Sequence, residues 1–285
     1  MPGGMEIHVA SAERLMEAAH ADWDRLMHRM AVLARQEVNT EFSRSWLMRQ
    51  PSRPDALIFR SRVIYERMRA DRSFDEAKLA LSQCLQAASL RPEDPTPWVV
   101  MLGIYRLLGW PERAVSQIWR EVINRDAWNR EAHLQVLSYL LATDDASYWR
   151  VDEFLDSRRQ TMPANAPTSA LELTAAVGRF SVYTTARPAQ GGSLARYWWS
   201  APKHRQVLDL AVDTWLRPGF LRHAASLADL NILAFALVCS GDFSDASAVF
   251  ASVGPVVTEY PWSSEGGDPV EQFLLARAGT ARAGS

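Results

Sequence analysis

Two groups of residues in this chain have the types and spacing that can support chemistry. In the first, His20, Asp24 and His28 follow one another every four residues, which places two imidazoles and a carboxylate on one helical face. Such a face can hold a metal ion. It lies well away from the apolar stripe of the same helix, however, on its polar side. A solvated face is therefore the favoured interpretation, and we predict no metal and no cofactor.

The second group is acidic and lies in the segment DDASYWRVDEF, with Asp144, Asp145, Asp152 and Glu153. Paired carboxylates can divide acid and base roles in catalysis. Asp144 and Asp145 are better explained as caps of the following helix, where negative charge complements the helix dipole. The sequence has no G-x-S-x-G elbow, Walker loop, dinucleotide fingerprint or H-E-x-x-H motif. It identifies no catalytic residue, and whether the chain is an enzyme stays open.

The stretch RYWWSAP places two adjacent tryptophans, Trp198 and Trp199, just before Pro202. Leu194 and Trp198 are four residues apart, and so are Ala195 and Trp199, so both tryptophans fit one buried helical stripe. Packing is the favoured interpretation, and stacking on a ligand is the alternative. We predict that Trp198 is the more deeply buried and that Trp199 makes any ligand contact.

Composition narrows the class of protein. The 285 residues carry a formal net charge of −2, with 48% apolar and 22% charged residues, a balance typical of globular proteins. Without an excess of positive charge, we expect no nucleic acid and no membrane as partner. The N-terminus lacks the pattern of a signal peptide, and the longest strongly apolar run, 230–239, is about half a membrane span. We predict a cytoplasmic protein with Cys84 and Cys239 as free thiols.

Helical periodicity covers most of the chain, and strand-like alternation is absent, so the predicted fold class is all-α with at least ten helices. The first helix is predicted over 11–36, and its buried face consists of Leu15, Ala19, Trp23, Leu26, Met30 and Leu33. Further helices are predicted at about 38–49, 54–70, 73–90, 97–108, 111–125, 129–142, 146–159, 202–216, 226–240, 242–252 and 268–279. The segment between 168 and 187 is predicted to be helical in its first part, and the end of the chain is expected to fray.

Paired helices of 12–17 residues with short connections indicate a repeat architecture. In the window WVVMLGIYRLLGWPERAVSQIW, Trp98, Tyr105, Ala114 and Ile118 have the spacing of a repeat in which a small alanine lets two helices approach. The windows LNILAFALVCSGDFSDASAVF and YERMRADRSFDEAKLALSQCL follow a similar pattern. The chain thus resembles the tetratricopeptide-repeat superfamily over about 54–160 and 226–252. The phrases DPTPW, LGWP and DPVEQFLLARA are also similar to uncharacterised actinobacterial helical-repeat proteins, a similarity that implies no activity.

The resemblance implies a tetratricopeptide-like α-solenoid with a non-repeat helical insertion. It departs from the usual pattern at Leu102, where a glycine is usual, and at Asp126, where a proline is usual. The predicted organisation is one continuous domain made of N-terminal helices (1–50), repeat-like pairs (51–160), the insertion (161–225), and a C-terminal segment (226–285). That last segment comprises a repeat-like pair, a final helix and the frayed tail.

In such a scaffold, certain residues of each repeat turn towards a concave groove. By the spacing of the three windows, these residues are Phe59, Arg62, Glu66, Arg69, Val99, Arg106, Arg130, His133 and Leu137. Arginines among apolar side chains suit a carboxylate-bearing peptide, through bidentate hydrogen bonds. The alternative is that they pair internally with Glu66, Glu131 or Asp126, or face water.

These features favour one function over another of a different class. We predict a helical-repeat interaction module that binds a partner protein or peptide in its concave groove. The alternative is a small-molecule-binding protein or enzyme of specialised metabolism with a Trp-lined pocket, which the 11 tryptophans and the insertion favour.

Overall fold

The structure, a computed structural model, describes residues 2–19, 22–37, 41–143, 148–185, 191–264 and 266–283. These residues form helices and turns without any strand, so the predicted all-α class is confirmed. The helices are α1 Pro2–Glu17, α2 Trp23–Gln36, α3 Phe42–Arg49, α4 Pro54–Asp71, α5 Ala77–Leu90, α6 Thr96–Leu107, α7 Glu112–Ile123, α8 Arg130–Thr143, α9 Trp149–Arg159, α10 Leu171–Thr185, α11 Gly191–Ser200, α12 Pro202–Trp215, α13 Ser226–Ser240, α14 Phe243–Val253, α15 Glu259–Trp262 and α16 Pro269–Ala283.

The long first helix predicted over 11–36 is two helices. α1 begins at Pro2 and ends at Glu17, and α2 begins at Trp23. A side-chain oxygen of Asp22 accepts a hydrogen bond from the backbone N–H of Arg25 at 3.0 Å, which caps α2 and gives it a start of its own. The prediction of a single helix is therefore wrong.

The apolar stripe predicted for that helix is also divided. Leu15 in α1 is 43% exposed, and Trp23 and Leu33 are half-buried, whereas Leu26 and Met30 of α2 are buried. Ala19, which precedes α2, is buried as well, so the predicted stripe holds at Ala19, Leu26 and Met30.

The last helix continues further than its predicted end at about 279. α16 extends to Ala283, and near its end Thr280 is buried, with its hydroxyl donating to the carbonyl oxygen of Arg277 at 2.8 Å. This part of the tail is helical where fraying was predicted.

The chain divides into two compact units, Met1–Tyr139 and Leu140–Ser285, and the division falls within α8. In the first unit, α4 packs along α5, α6 packs along α7, and both α4 and α5 contact α6. Gly103 allows α4 and α6 to approach closely, because a Cβ at this position would lie 2.7 Å from Cε2 of Tyr65. α2 and α3 each pack on α4.

In the second unit, α13 is the central helix and contacts α10, α11, α12, α14, α15 and α16. Gly241 follows α13 in the left-handed conformation, with φ +87°, and so ends the helix. In the repeat-like window LNILAFALVCSGDFSDASAVF, the apolar residues that match the repeat pattern are all buried: Leu230, Leu233, Ala234, Leu237, Ala246 and Phe250.

Candidate functional site

The residues predicted to line a groove lie on three helices of the first unit, and the structure brings several of them together. We call this set the α4–α6–α8 face and define it by Arg62, Tyr65, Glu66, Val99, Arg106, Glu131 and Gln135. Hydrogen bonds join α4 to α8 and α6 to both of them across this face.

Six of the nine predicted groove residues are buried: Phe59, Arg62, Glu66, Val99, His133 and Leu137. Phe59 is fully buried, and its ring centroid lies 5.6 Å from that of Trp46 on α3. Val99 and Leu137 are core residues, and His133 is fully buried, with its Nδ1 2.7 Å from the carbonyl oxygen of Asn129. For Phe59, His133 and Leu137 the groove prediction is wrong, because neighbouring helices cover them, whereas Val99 lines a crevice beside α2.

Arg62 lies at the centre of a buried ionic network. Its Nε donates to Oε1 of Glu66 at 3.0 Å, and its Nη2 donates to Oε1 of Glu131 at 3.4 Å. Arg69 Nη1 donates to Oε2 of Glu66 at 2.7 Å. Arg62 is only 5% exposed and Glu66 only 3%. Internal pairing, which the sequence left as the alternative, therefore applies to Arg62.

A second set of hydrogen bonds extends the network to Arg106. The amide nitrogen of Gln135 lies 2.9 Å from Oε1 of Glu131 and 2.9 Å from the hydroxyl of Tyr65, and donates to both. Arg106 Nε donates to Oε1 of Gln135 at 2.7 Å, and its Nη2 donates to the Tyr65 hydroxyl at 3.3 Å. Charged and neutral groups from α4, α6 and α8 thus form one connected layer.

The pKa values of two members follow from burial and from these partners. Burial alone would raise the pKa of Glu131, but the Arg62 guanidinium, the Gln135 hydrogen bond and two further arginines lower it to about 2. Burial alone would lower the pKa of Arg62, yet the carboxylates of Glu131 and Glu66 outweigh it and raise the pKa. Both groups are therefore charged at neutral pH.

The helix α2 lies on this face. Oppositely charged groups meet at its C-terminal end, where Arg35 Nε is 3.9 Å from Oε2 of Glu66. Towards its N-terminal end, the Asn129 amide lies 3.6 Å from the sulfur of Met27. A narrow crevice between α2, α4 and α6 is lined by Met27, Met30, Ile58, Arg62, Thr96, Val99 and Val100. The face predicted to bind a partner is thus partly covered by a helix of the same chain.

Sequence reasoning missed Tyr65, Gln135 and Gly103. The available signal was Gly103, since a glycine within a helix commonly marks a close approach. The role of α2 as a cover was also missed, because the prediction joined α1 and α2 into one helix.

In the second unit, the structure reverses the predicted order of the two tryptophans. Trp199 is 1% exposed and lies 5.7 Å from Phe180, measured between ring centroids. Trp198 is half-buried and stacks on His204, with ring centroids 4.1 Å apart. Tyr183 lies 4.9 Å from Trp198. Trp199 therefore has no exposed ring face on which a ligand can stack, and its predicted ligand contact is wrong.

Of the histidine and acidic candidates identified from the sequence, Asp152 forms ion pairs within the fold, and three others lie outside the described residues. Asp152 accepts hydrogen bonds from Arg179 Nη2 and Lys203 Nζ, each at 2.8 Å. Burial acts to raise the pKa of Asp152, but these two partners lower it. His20, Asp144 and Asp145 lie outside the described residues. In the described ranges, no three potential metal ligands come together.

The Cys84 thiol is buried, and burial raises its pKa to about 12. A thiol in this state is protonated at neutral pH, so it is not a nucleophile.

The fold and site together define an all-helical protein with a helix-covered ionic face. Comparisons with protein-family models, with curated proteins and with solved structures find no match for this chain. None of the described helices has the length and sustained apolar character that crossing a lipid bilayer requires.

Proposed function

We propose that this chain is a helical-repeat interaction module that binds a helix of a partner protein on the α4–α6–α8 face. One observation carries the proposal: a helix, α2, already lies on that face and buries Leu26, Met27, Met30 and Ala34. A surface that accepts one amphipathic helix has the shape and apolar contacts to accept another.

The composition of the contact supports this function. Arg62 and Glu66 are buried beside α2, although ionisable side chains are seldom enclosed in a domain core. On α2, two of the four buried apolar residues are methionines, whose flexible side chains are favoured on surfaces that accept different partners. The arrangement resembles a recognition surface more than a core.

The packing of helices gives independent support. In tetratricopeptide-like arrays, each helix pair contacts the next, and the stacked pairs expose an extended binding face. α4 packs with α5, α6 packs with α7, and both α4 and α5 contact α6, which is the set of contacts expected between two successive pairs. Gly103 lets α4 and α6 pack closely enough for their side chains to share one network.

The test is binding of a free peptide with the sequence of residues 22–37 to the full chain. In the parent protein the tethered α2 competes at an effective concentration of roughly millimolar, so we expect weak binding. Met30→Ala weakens the α2 contact by about 2–5 kcal/mol and should raise the apparent affinity for the peptide at least tenfold. Met48→Ala is the matched control, because Met48 on α3 is 75% exposed.

Equal peptide binding by the parent, the Met30→Ala chain and the Met48→Ala chain would contradict the proposal. So would failure of the peptide to bind to a Met30→Ala chain that circular dichroism shows to be folded. Isothermal titration calorimetry or fluorescence anisotropy measures the dissociation constant of the peptide for each chain.

A further inference from the structure

Arg106 differs from the other cations of the α4–α6–α8 face. Its two hydrogen-bond acceptors, the Gln135 amide oxygen and the Tyr65 hydroxyl, are both neutral. Arg62 and Arg69, by contrast, both pair with Glu66. Across the part of the chain that the structure describes, no carboxylate forms an ion pair with Arg106.

The guanidinium of Arg106 is oriented by two hydrogen bonds and keeps further N–H donors unused among the described residues. An arginine has five N–H donors in a planar fork, and here Nε and Nη2 are used, which leaves Nη1 and part of Nη2. Tyr65 and Gln135, which fix its orientation, are 2% and 8% exposed, so they are themselves held by packing. Arg106 is half-buried, and partial burial strengthens a charge-assisted hydrogen bond.

The helix that now covers the face does not match this charge. α2 reads WDRLMHRMAVLARQ, with Arg25, Arg29 and Arg35 but only Asp24 as an acid. The crevice between α2, α4 and α6 is lined on α6 by Thr96, Val99 and Val100, and Arg106 lies two helical turns, about 10 Å, beyond Val99 along that helix.

From this mismatch, and resting on the proposed function, we propose that the preferred partner is an acidic amphipathic helix that places a carboxylate on Arg106. Its apolar side would occupy the contacts that Met27 and Met30 now make. The carboxylate would add a charge-assisted hydrogen bond that α2 does not make.

Two peptides test the inference on the Met30→Ala chain. Both keep Leu26, Met27, Met30 and Ala34 of α2 and extend the helix by one turn at each end. In one peptide, glutamate replaces Arg25 and Arg29 and occupies the polar positions of the added turns. In the other peptide, glutamine occupies all the same positions. The glutamate peptide should bind about tenfold more tightly, as expected for one charge-assisted hydrogen bond. Arg106→Gln should remove most of this preference.

Arg113→Gln is the matched control, because Arg113 is an exposed arginine on the neighbouring helix α7. Raising the salt concentration should also reduce the preference for glutamate, which tests the charge without relying on a variant. Equal binding of the two peptides, or a preference unchanged by both Arg106→Gln and salt, would overturn the inference and leave the proposed function standing. Binding of neither peptide would overturn both.

Discussion

At the scale of single residues, the central feature is an arginine enclosed by two carboxylates. The sequence pattern placed Arg62 in a partner-binding groove, where its loss would be expected to weaken binding and to spare stability. Its burial and its bonds to Glu66 and Glu131 lead to the opposite expectation. A buried ion pair contributes little net stability, but removing one partner leaves an uncompensated charge.

Arg62→Ala should therefore lower the free energy of unfolding by about 3–5 kcal/mol, measured by urea denaturation. Arg113→Ala, the same change at an exposed site, should leave it within about 0.5 kcal/mol of the parent. Similar values for the two variants would show that Arg62 does not stabilise the fold.

The ionisation of Glu131 makes the stability of the fold depend on pH. Its pKa is about 2 in the folded chain against an ordinary 4.5, so its ionised form stabilises the fold above about pH 4.5. That contribution, about 3 kcal/mol, is lost as the pH falls from about 4.5 towards 2. Glu131→Gln should destabilise the chain at neutral pH.

The difference in unfolding free energy between the parent and Glu131→Gln should accordingly shrink as the solution is acidified. Denaturant melts at several pH values measure it. A difference that stays constant from neutral pH to about pH 2.5 would contradict the assignment of a lowered pKa to this carboxyl.

At the scale of elements, local patterns predicted most helices, but they joined α1 and α2 into one helix and missed the short helix α15. α4, α6 and α12 begin at or next to prolines in the segments PSRPD, RPEDPTP and SAPKH, and proline is common in the first turn of a helix. The break between α1 and α2 was missed because apolar residues happen to continue the helical period across it. Only the Asp22 cap reveals the break, and aspartate is common enough elsewhere to be overlooked.

The two alanines placed at helix contacts provide an element-scale test. Ala246 on α14 is fully buried in the second unit, whereas Ala114 on α7 is half-buried. Ala246→Leu should therefore cost about 1–3 kcal/mol through overpacking. Ala114→Leu should cost less, because the added atoms can extend into solvent.

Thermal melts of both variants decide this point. If Ala246→Leu melts like the parent, the helix α14 does not pack as closely as its burial indicates. A larger loss for Ala114→Leu than for Ala246→Leu would contradict the burial of the two sites.

At the scale of the whole molecule, the candidate site depends on contacts that no local pattern encodes. Arg62 and Glu131 are 69 residues apart in the chain, and Tyr65 and Gln135 are 70 apart. Periodicity predicted that Arg62 and Arg106 share a face, because a repeat places equivalent positions side by side. It could not predict that a helix preceding the repeats would lie on that face.

The tryptophans show the same limit. Helical spacing placed Trp198 and Trp199 in one stripe but could not rank them, since their burial depends on Phe180 and His204 from other helices. Trp46, Trp199, Trp215 and Trp262 are buried, so packing in the core explains four of the 11 tryptophans. The feature that favoured a Trp-lined pocket is thereby weakened.

The central claim is that another helix can replace α2 on the α4–α6–α8 face. Hydrogen exchange of the unmodified full chain tests this claim most directly. Segments that open independently exchange at lower free energy than the core they cover. We predict that amides around Met30 in α2 exchange at least tenfold faster than those around Ile64 in α4, although both residues are buried. Equal protection of the two helices would contradict the claim, since α2 would then open only when the whole unit unfolds.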